Sequence, residues 1–297
     1  MSDLHPPAED VIDAVSRALA EDIKANGDVT SALLPPTATA HFVLRAREDG
    51  VLAGRDCAVE TFRRLDPNLE QNWKVDDGAT LAPGDTVMEV TGALRPILTA
   101  ERTVLNFLGH LSGIATLTQR FVREAHARNP SVLILDTRKT TPGLRTLEKA
   151  AVRAGGGTNH RANLSDAVLV KDNHLAGVTI TEAVERARAL WPGLGVEVEC
   201  DSLDQVEEAA RAGADALLLD NMTPPRVQQA IAMARAKAPG PVLTEVSGRV
   251  NLETIGDYAA AGPDRISIGA LTHSAIVLDL GLDLIWRNTE PRNAEGD

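Results

Sequence analysis

Cationic side chains are concentrated between Arg138 and Lys171, where seven Lys or Arg residues face only Glu148 and Asp166. The whole chain carries a formal net charge of -12, so this positive segment needs its own explanation. A guanidinium group binds a carboxylate or phosphate in bidentate fashion, and a lysine supplies a point charge. Cations held close together repel each other, and a protein keeps them mainly where a ligand supplies negative charge. The segment therefore predicts a binding site for a small polyanion.

Only the two ends of this segment are predicted to bind the anion. Arg145, Lys149 and Arg153 have the spacing of one helix face and are interpreted as solvated. The glycine run at 155–157 is expected to end that helix and turn the chain back, so that the two ends meet. The candidates that remain are Arg138, Lys139, His160, Arg161 and Lys171.

Acidic side chains stand near the ends of two later apolar runs. In VEVEC, strand alternation puts Glu197 and Glu199 on the same side, one in a lower layer and one near the end of the run. Glu199 is the better candidate for a ligand, and Asp220 at the end of the next run is expected to join it around Mg²⁺ and substrate phosphates. SGRVNLET and IGALTHS then offer backbone N–H groups for a phosphate.

Six short apolar runs, each ending in polar residues, predict the buried strands that position these groups. They are VLILDTRK (132–139), AVLVKDNH (167–174), GVEVEC (195–200), ALLLDN (216–221), PVLTEVSG (241–248) and RISIGA (265–270). Segments with helical spacing lie between them, and this alternation predicts an α/β fold built from βαβ units. No GxGxxG follows an early strand, which favours a (β/α) barrel over an open dinucleotide-binding sheet. The carboxyl ends of barrel strands converge on one mouth, where the chemistry is predicted to lie.

The first 105 residues have a different pattern. VIDAVSRALAEDI predicts an amphipathic helix, while ATAHFVLRAREDGVLAG and WKVDDGATLAPGDTVMEVTGAL predict strands joined by turns. We therefore expect an N-terminal α+β domain over residues 1–105, and a barrel over residues 106–271 that a long helical stretch leads into. The apolar tail at about 272–288 is predicted to be a helix that packs on the N-terminal domain, and the last ten residues are expected to be frayed.

Composition excludes several classes of protein. The chain has no apolar run of about 18 residues and no secretory start, so neither membrane insertion nor secretion is expected. Two distant cysteines rule out a disulfide framework and suit a reducing compartment, with the cytoplasm as the expected location. A pI near 5.1 and 3% aromatic residues argue against a nucleic-acid surface.

Several motifs resemble the quinolinate phosphoribosyltransferase family: TRKTTPGLR, GGGTNHR followed by LSDAVLVKDNH, VEVE, LLLDNM, EVSG and ISIGALTHSA. ALAEDIKANGDVTS and ERTVLNFLGHLSGIAT extend the resemblance over nearly the whole chain. It implies an N-terminal α/β sandwich domain and an incomplete (β/α) barrel with an open side. It also implies that quinolinate and phosphoribosyl pyrophosphate become nicotinate mononucleotide, pyrophosphate and CO₂ in NAD biosynthesis, with Mg²⁺ and without an organic cofactor.

The resemblance also implies roles for individual residues. Quinolinate is expected to be held by Arg102, Arg138, His160, Arg161 and Lys171, with Arg102 supplied across the interface of a homodimer. Phosphoribosyl pyrophosphate is expected to be bound by Lys139, Glu199, Asp220, Ser247, Gly248, Gly269 and His273. Lys139, Glu199 and Asp220 are the expected catalytic residues. Arg249 departs from the family pattern, which has a small or amide residue there, and it is expected either to add a charge near the phosphate or to point away.

Two alternatives from other classes stay open at this point. A Schiff-base aldolase on a barrel would use Lys171 or Lys139 as its nucleophile, and that lysine would have to lose its proton. A non-catalytic anion-binding protein of the same fold would bind anions without releasing CO₂, because a fold does not determine an activity.

Overall fold

The structure, a computed structural model, describes residues 4–288. Its helices and strands are, in chain order, α1 (Ala8–Asp22), β1 (Thr39–Ala46), β2 (Gly50–Val51), α2 (Arg55–Leu65), β3 (Glu70–Trp73), β4 (Thr80–Leu81), β5 (Thr86–Ala93), α3 (Leu94–His126), β6 (Leu133–Leu135), α4 (Arg145–Ala154), β7 (Val168–Val170), α5 (Ile180–Leu190), β8 (Val196–Cys200), α6 (Leu203–Arg211), β9 (Ala216–Asp220), α7 (Pro224–Lys237), β10 (Leu243–Ser247), α8 (Ile255–Ala260), β11 (Arg265–Ser267), α9 (Ala270–His273) and β12 (Leu280–Asn288). Among the helices of this range, none combines the length and the apolar content needed to span a bilayer.

The described residues group into two units. The N-terminal unit comprises the described chain up to Leu117, together with Thr141–Gly156 and the described chain from Ser274 onward. The barrel unit comprises Thr118–Thr140 and Gly157–His273. A single boundary near residue 105 was predicted, with everything after it up to residue 271 in the barrel. In the structure, the segment Thr141–Gly156, which contains α4, instead groups with the N-terminal unit.

An antiparallel sheet in the order β12-β1-β5-β3 forms the base of the N-terminal unit. Alternate residues of β1, including Phe42 and Leu44, are buried in one apolar cluster with Met88 and Val90 of β5. Ile97 and other residues of α3 belong to the same cluster. This period-two pattern is what places one face of the sheet against helices, and the expected sandwich of helices and strands is confirmed.

The predicted helix at about 272–288 is wrong. The helical segment α9 ends at His273, and β12 pairs antiparallel with β1 from Leu280 opposite Ala46 to Asn288 opposite Thr39. A short apolar run does not by itself distinguish a helix from a strand, and the free backbone groups along β1 decide the outcome here. The prediction of frayed terminal residues falls on 289–297, which lie outside the described residues. Helix α2 was not predicted, although Ala58, Phe62 and Leu65 have the spacing of one helix face.

Six parallel strands form the barrel unit in the order β6-β11-β10-β9-β8-β7, and each corresponds to a predicted apolar run. Within residues 4–288 no ladder joins β6 to β7, and Leu135 of β6 instead makes a parallel bridge to Thr158. The expected incomplete barrel with an open side is therefore confirmed. Because the ladder stops there, the segment after residue 157 can enter the side of the barrel.

The helices around the barrel begin and end where local chemistry dictates. Thr179 and Ser202 cap α5 and α6 by accepting the backbone N–H of Glu182 and Gln205. Helix α7 begins at two prolines, which lack the N–H that a first helical turn leaves unpaired. Gly213 (φ +77) follows α6 and Gly262 (φ +87) follows α8, in the left-handed conformation that commonly ends a helix.

Candidate active site

Most of the predicted site residues lie around a cavity of about 630 Å³ at the carboxyl ends of the barrel strands. Side chains alternate along each strand, so residues two apart share the inner face. On β10 these are Glu245 and then Ser247, and on β9 they are Leu218 and then Asp220. The cavity lining includes these predicted site residues: Arg138, Lys139, His160, Arg161, Lys171, Glu199, Asp220, Ser247 and Gly248.

The other predicted residues lie elsewhere. Gly269 is next to Lys139 and His273, because a Cβ atom on this glycine would come within 2.9 Å of Lys139 Cδ and 3.1 Å of His273 Nε2. Arg102 belongs to the N-terminal unit, where it lines a cavity of about 220 Å³ with His110. Its supply to a site across a dimer interface stays a prediction.

Asp136, Asn221 and Glu245 are among the buried or cavity-lining polar residues that were not assigned a role from the sequence. Glu245 carries a charge inside an apolar run, and Asp136 carries one directly after such a run, which is the signal that could have identified them. Asn221 has a positive φ of 54. The only sequence signal for it is the residue type, because asparagine adopts positive φ more often than most residues do.

Asp136, fully buried just after β6, holds the segment that enters the open side of the barrel. One carboxylate oxygen accepts the backbone N–H of His160 at 2.9 Å, and the other accepts the Asn159 side-chain amide at 2.6 Å. The backbone of Thr158 bonds to Ile134 at 2.8 Å and so continues the sheet for one residue. These bonds set the position of His160 and Arg161.

The His160 ring lies between two buried carboxylates inside the barrel. Its Nε2 is 3.1 Å from Glu197 Oε2 and 3.4 Å from Glu245 Oε1, and its Nδ1 accepts the backbone N–H of Arg161 at 2.8 Å. Burial opposes ionisation of the ring, but the hydrogen bonds and charges of the two glutamates outweigh it and raise the pKa of His160 to about 9. Burial also raises the pKa of Glu197. The expectation that Glu197 forms a lower layer agrees with its burial here.

Arg161 and Arg138 bring two guanidinium groups to the same part of the cavity. Burial and then the charge of Arg138 lower the pKa of Arg161. Its Nη1 donates to the carbonyl oxygen of Ala167 at 3.2 Å, which fixes the side chain along the cavity wall. Two arginines close enough to repel each other favour a ligand with more than one negative charge.

Lys171 forms an ion pair with Glu199 across the mouth. An ion pair favours the charged ammonium, whereas a Schiff-base nucleophile must be an unprotonated amine. The aldolase alternative therefore has no support at Lys171. Asp220 accepts a hydrogen bond from the Asn221 amide at 2.5 Å, so both acidic candidates keep one side-chain partner at the mouth.

The loop after β10 brings backbone groups close to the cavity. Gly248 has a φ of +88, and a Cβ atom there would lie 2.8 Å from Asn221 Cγ and 3.1 Å from its backbone nitrogen. The backbone N–H of Asn221 in turn donates to Ser247 O at 3.0 Å. Arg249 also has a positive φ, 55, and it lines the cavity. Two non-glycine residues, Asn221 and Arg249, therefore lie in the left-handed region beside this cavity, and of the two asparagine is the type that tolerates it more readily.

Known proteins of one family match this chain over most of its length. Residues 28–112 match the model of the quinolinate phosphoribosyl transferase N-terminal domain, and residues 114–283 match that of the C-terminal domain. The chain is 42% identical over 283 residues to the nicotinate-nucleotide pyrophosphorylase (carboxylating) of Mycobacterium leprae (strain TN), covering 92% of this chain and 96% of that one. It is 40% identical over 270 residues to a probable nicotinate-nucleotide pyrophosphorylase (carboxylating) of Bacillus subtilis (strain 168), covering 90% and 91%. The structure of the nicotinate-nucleotide pyrophosphorylase from Francisella tularensis superposes with a TM-score of 0.90 at 38% identity, covering 96% and 99%.

Proposed function

The chain belongs to the quinolinate phosphoribosyltransferase family, and we propose that it transfers the phosphoribosyl group of phosphoribosyl pyrophosphate to quinolinate. The products are nicotinate mononucleotide, pyrophosphate and CO₂, in the biosynthesis of NAD. The observation that carries the proposal is the meeting of Arg138 and Arg161, which are 23 positions apart in the chain, at one cavity that also holds Glu199 and Asp220. A dicarboxylate can pair its two negative charges with the two arginines, and the two acids can stabilise the positive charge that develops on the sugar.

The transfer step follows from these charges. The ring nitrogen of quinolinate attacks the anomeric carbon of the ribose while the bond to pyrophosphate breaks. Positive charge develops on the sugar in the transition state, so carboxylates at that side, such as Glu199 and Asp220, lower its energy. Lys139 lines the same cavity, and its proposed role is to stabilise the negative charge that builds up on the leaving pyrophosphate.

Loss of CO₂ then needs no organic cofactor. After the transfer the ring nitrogen carries a positive charge next to the carbon that bears the second carboxylate. When the bond to CO₂ breaks, its electron pair stays on that carbon, and the adjacent positive nitrogen stabilises it until a proton arrives. The protein contributes by holding the dicarboxylate in place and by excluding other orientations.

Mg²⁺ enters this proposal as part of the phosphoribosyl pyrophosphate substrate. The donor set at the mouth fits it, because Glu199 and Asp220 provide the carboxylate oxygens that Mg²⁺ prefers alongside phosphate oxygens. The ion would neutralise part of the pyrophosphate charge. Addition of EDTA is expected to abolish turnover, and excess Mg²⁺ should restore it.

Further parts of the proposal concern assembly and location. We propose a homodimer in which Arg102 of one subunit reaches the quinolinate of the other. Arg102 lines a cavity in the N-terminal unit, which supports a role at a surface that receives a ligand or a partner. We also propose a cytoplasmic location. Both cysteines are free, and burial raises the pKa of each thiol to about 12, which suits a protein without disulfides.

One experiment tests the activity directly. The protein is incubated with quinolinate, phosphoribosyl pyrophosphate and Mg²⁺ while CO₂ and mononucleotide are measured, and the assay is repeated with nicotinate. Nicotinate lacks the second carboxylate and leaves a half-buried cation without its partner, at a cost of about 1 to 3 kcal/mol, so quinolinate should be preferred by about tenfold or more. Arg161→Ala should lower quinolinate use by orders of magnitude and leave the fold intact. A protein that binds anions but releases no CO₂ would support the non-catalytic alternative.

A further inference from the structure

The resemblance implies that His160 binds quinolinate directly, but both of its ring nitrogens face protein groups. The Nδ1 atom accepts the backbone N–H of Arg161, and Nε2 points at the carboxylates of Glu197 and Glu245. Only 13% of the side chain is exposed. We propose that His160 acts on the substrate through Arg161, and that Glu197 and Glu245 are the positioning residues that hold its ring. This inference rests on the proposed function, because it concerns the quinolinate end of the same site.

The two glutamates that orient the ring lie on β8 and β10, the strands on either side of β9. Glu197 lies on β8 and is 7% exposed, and Glu245 lies on β10 and is fully buried. Among residues 4–288, neither carboxylate oxygen of Glu245 has a hydrogen-bond partner, and the ring of His160, whose Nε2 is 3.4 Å from Oε1, forms the ion pair of this carboxylate. A buried carboxylate is costly unless an opposite charge or a donor compensates for it. The imidazole of His160 provides both a positive charge and an N–H group, and the carboxylates of Glu197 and Glu245 restrict the rotation of its ring.

The ring is connected to Arg161 by a hydrogen bond and by the chain itself. The backbone nitrogen of Arg161 donates to Nδ1, so rotation of the ring would release or move that nitrogen. On the other side, Asp136 fixes the backbone nitrogen of His160. The guanidinium of Arg161 donates to the carbonyl oxygen of Ala167. A carboxylate that pairs with two donors of a guanidinium requires a defined plane, and the His160 ring helps to set it.

Glu245→Gln tests this directly, because the side chain keeps its shape and loses its charge. We expect the dissociation constant for quinolinate, measured by titration calorimetry without the second substrate, to rise by about ten- to a hundredfold. The KM for phosphoribosyl pyrophosphate should change by less than about twofold, since that substrate binds at other residues. Glu245→Asp, which keeps the charge, should recover much of the affinity.

Glu60→Gln is the matched control. Glu60 is also a buried glutamate, 8% exposed, but it bonds to Arg63 and Arg64 on α2 in the N-terminal unit. Its replacement should leave the affinity for quinolinate unchanged. If Glu245→Gln does not fold, Glu197→Gln on β8 is measured in the same way, with the same expected loss.

A double-mutant cycle with Arg161→Lys separates an indirect role from a direct one. If His160 acts through Arg161, Glu245→Gln should weaken quinolinate binding by less than about twofold once Arg161 is already lysine. An equal loss in both backgrounds, or no loss in the wild-type background, would overturn the inference. Absence of quinolinate binding by the wild-type protein would instead refute the proposed function, so the two failures are distinguishable.

Discussion

Replacement of Gly248 by alanine tests whether the loop after β10 needs a glycine for its backbone or for its contacts. The residue has a φ of +88, and an added Cβ would lie 2.8 Å from Asn221 Cγ and 3.1 Å from its nitrogen. Gly262, after α8, offers a matched control with a φ of +87 and nothing within 4 Å of its added Cβ. The two substitutions therefore carry the same backbone cost, and only Gly248→Ala adds a collision.

The magnitudes follow from these geometries. A left-handed conformation destabilises the folded state of an L-residue by about 1 to 2 kcal/mol. Alanine also restricts the unfolded chain more than glycine does, which offsets about 0.4 to 1 kcal/mol of that loss. Gly262→Ala should therefore lower the free energy of unfolding by about 1 kcal/mol. Gly248→Ala must also displace Asn221 from its exposed bond to Asp220, and such a hydrogen bond contributes about 0.5 to 1.5 kcal/mol. Its total loss should be about 1.5 to 2.5 kcal/mol.

Urea unfolding of both variants measures these losses, with unchanged m-values as the condition for comparing them. The same displacement moves Asp220 and the backbone at Ser247, so Gly248→Ala should also raise the KM for phosphoribosyl pyrophosphate by about tenfold or more. Gly262→Ala should leave that constant unchanged. The reasoning is refuted if the two variants lose equal stability and Gly248→Ala keeps the wild-type KM.

Three further predictions concern single residues. The pKa of His160 is raised in the folded state from 6.5 to about 9, so its contribution to stability is complete below pH 6.5 and is lost as the pH rises through about 9. Urea unfolding across this range should show the decline, and His160→Gln should flatten it; parallel curves would contradict the assignment. Ser202→Ala removes the cap that accepts the Gln205 N–H and should lower the free energy of unfolding by about 1 kcal/mol, measured by urea unfolding, while activity persists. Gly269→Ala would place a Cβ 2.9 Å from Lys139 Cδ, and steady-state kinetics should show a higher KM for phosphoribosyl pyrophosphate with little loss of stability; an unchanged KM would mean that Lys139 moves aside freely.

The strand runs and most helices of the barrel unit were predictable because they depend on local patterns. Each of the six apolar runs became a strand, and helices such as α5 and α7 lie between them, where segments with helical spacing were predicted. The tail was not predictable in the same way. Whether Leu280–Asn288 forms a helix or a strand depends on β1, a partner more than 200 positions earlier in the chain, and no local pattern contains that partner.

The cationic and acidic residues of the site were determined by the sequence itself, because charged groups at the ends of parallel strands must gather at one mouth. The motifs also determined the family, which the comparisons confirm. The tertiary structure alone decided how these groups are held. That His160 faces Glu197 and Glu245 depends on an opening between β6 and β7, through which a loop enters the barrel. Such contacts join residues that are distant in the chain, and their energies depend on burial that only the packed barrel creates.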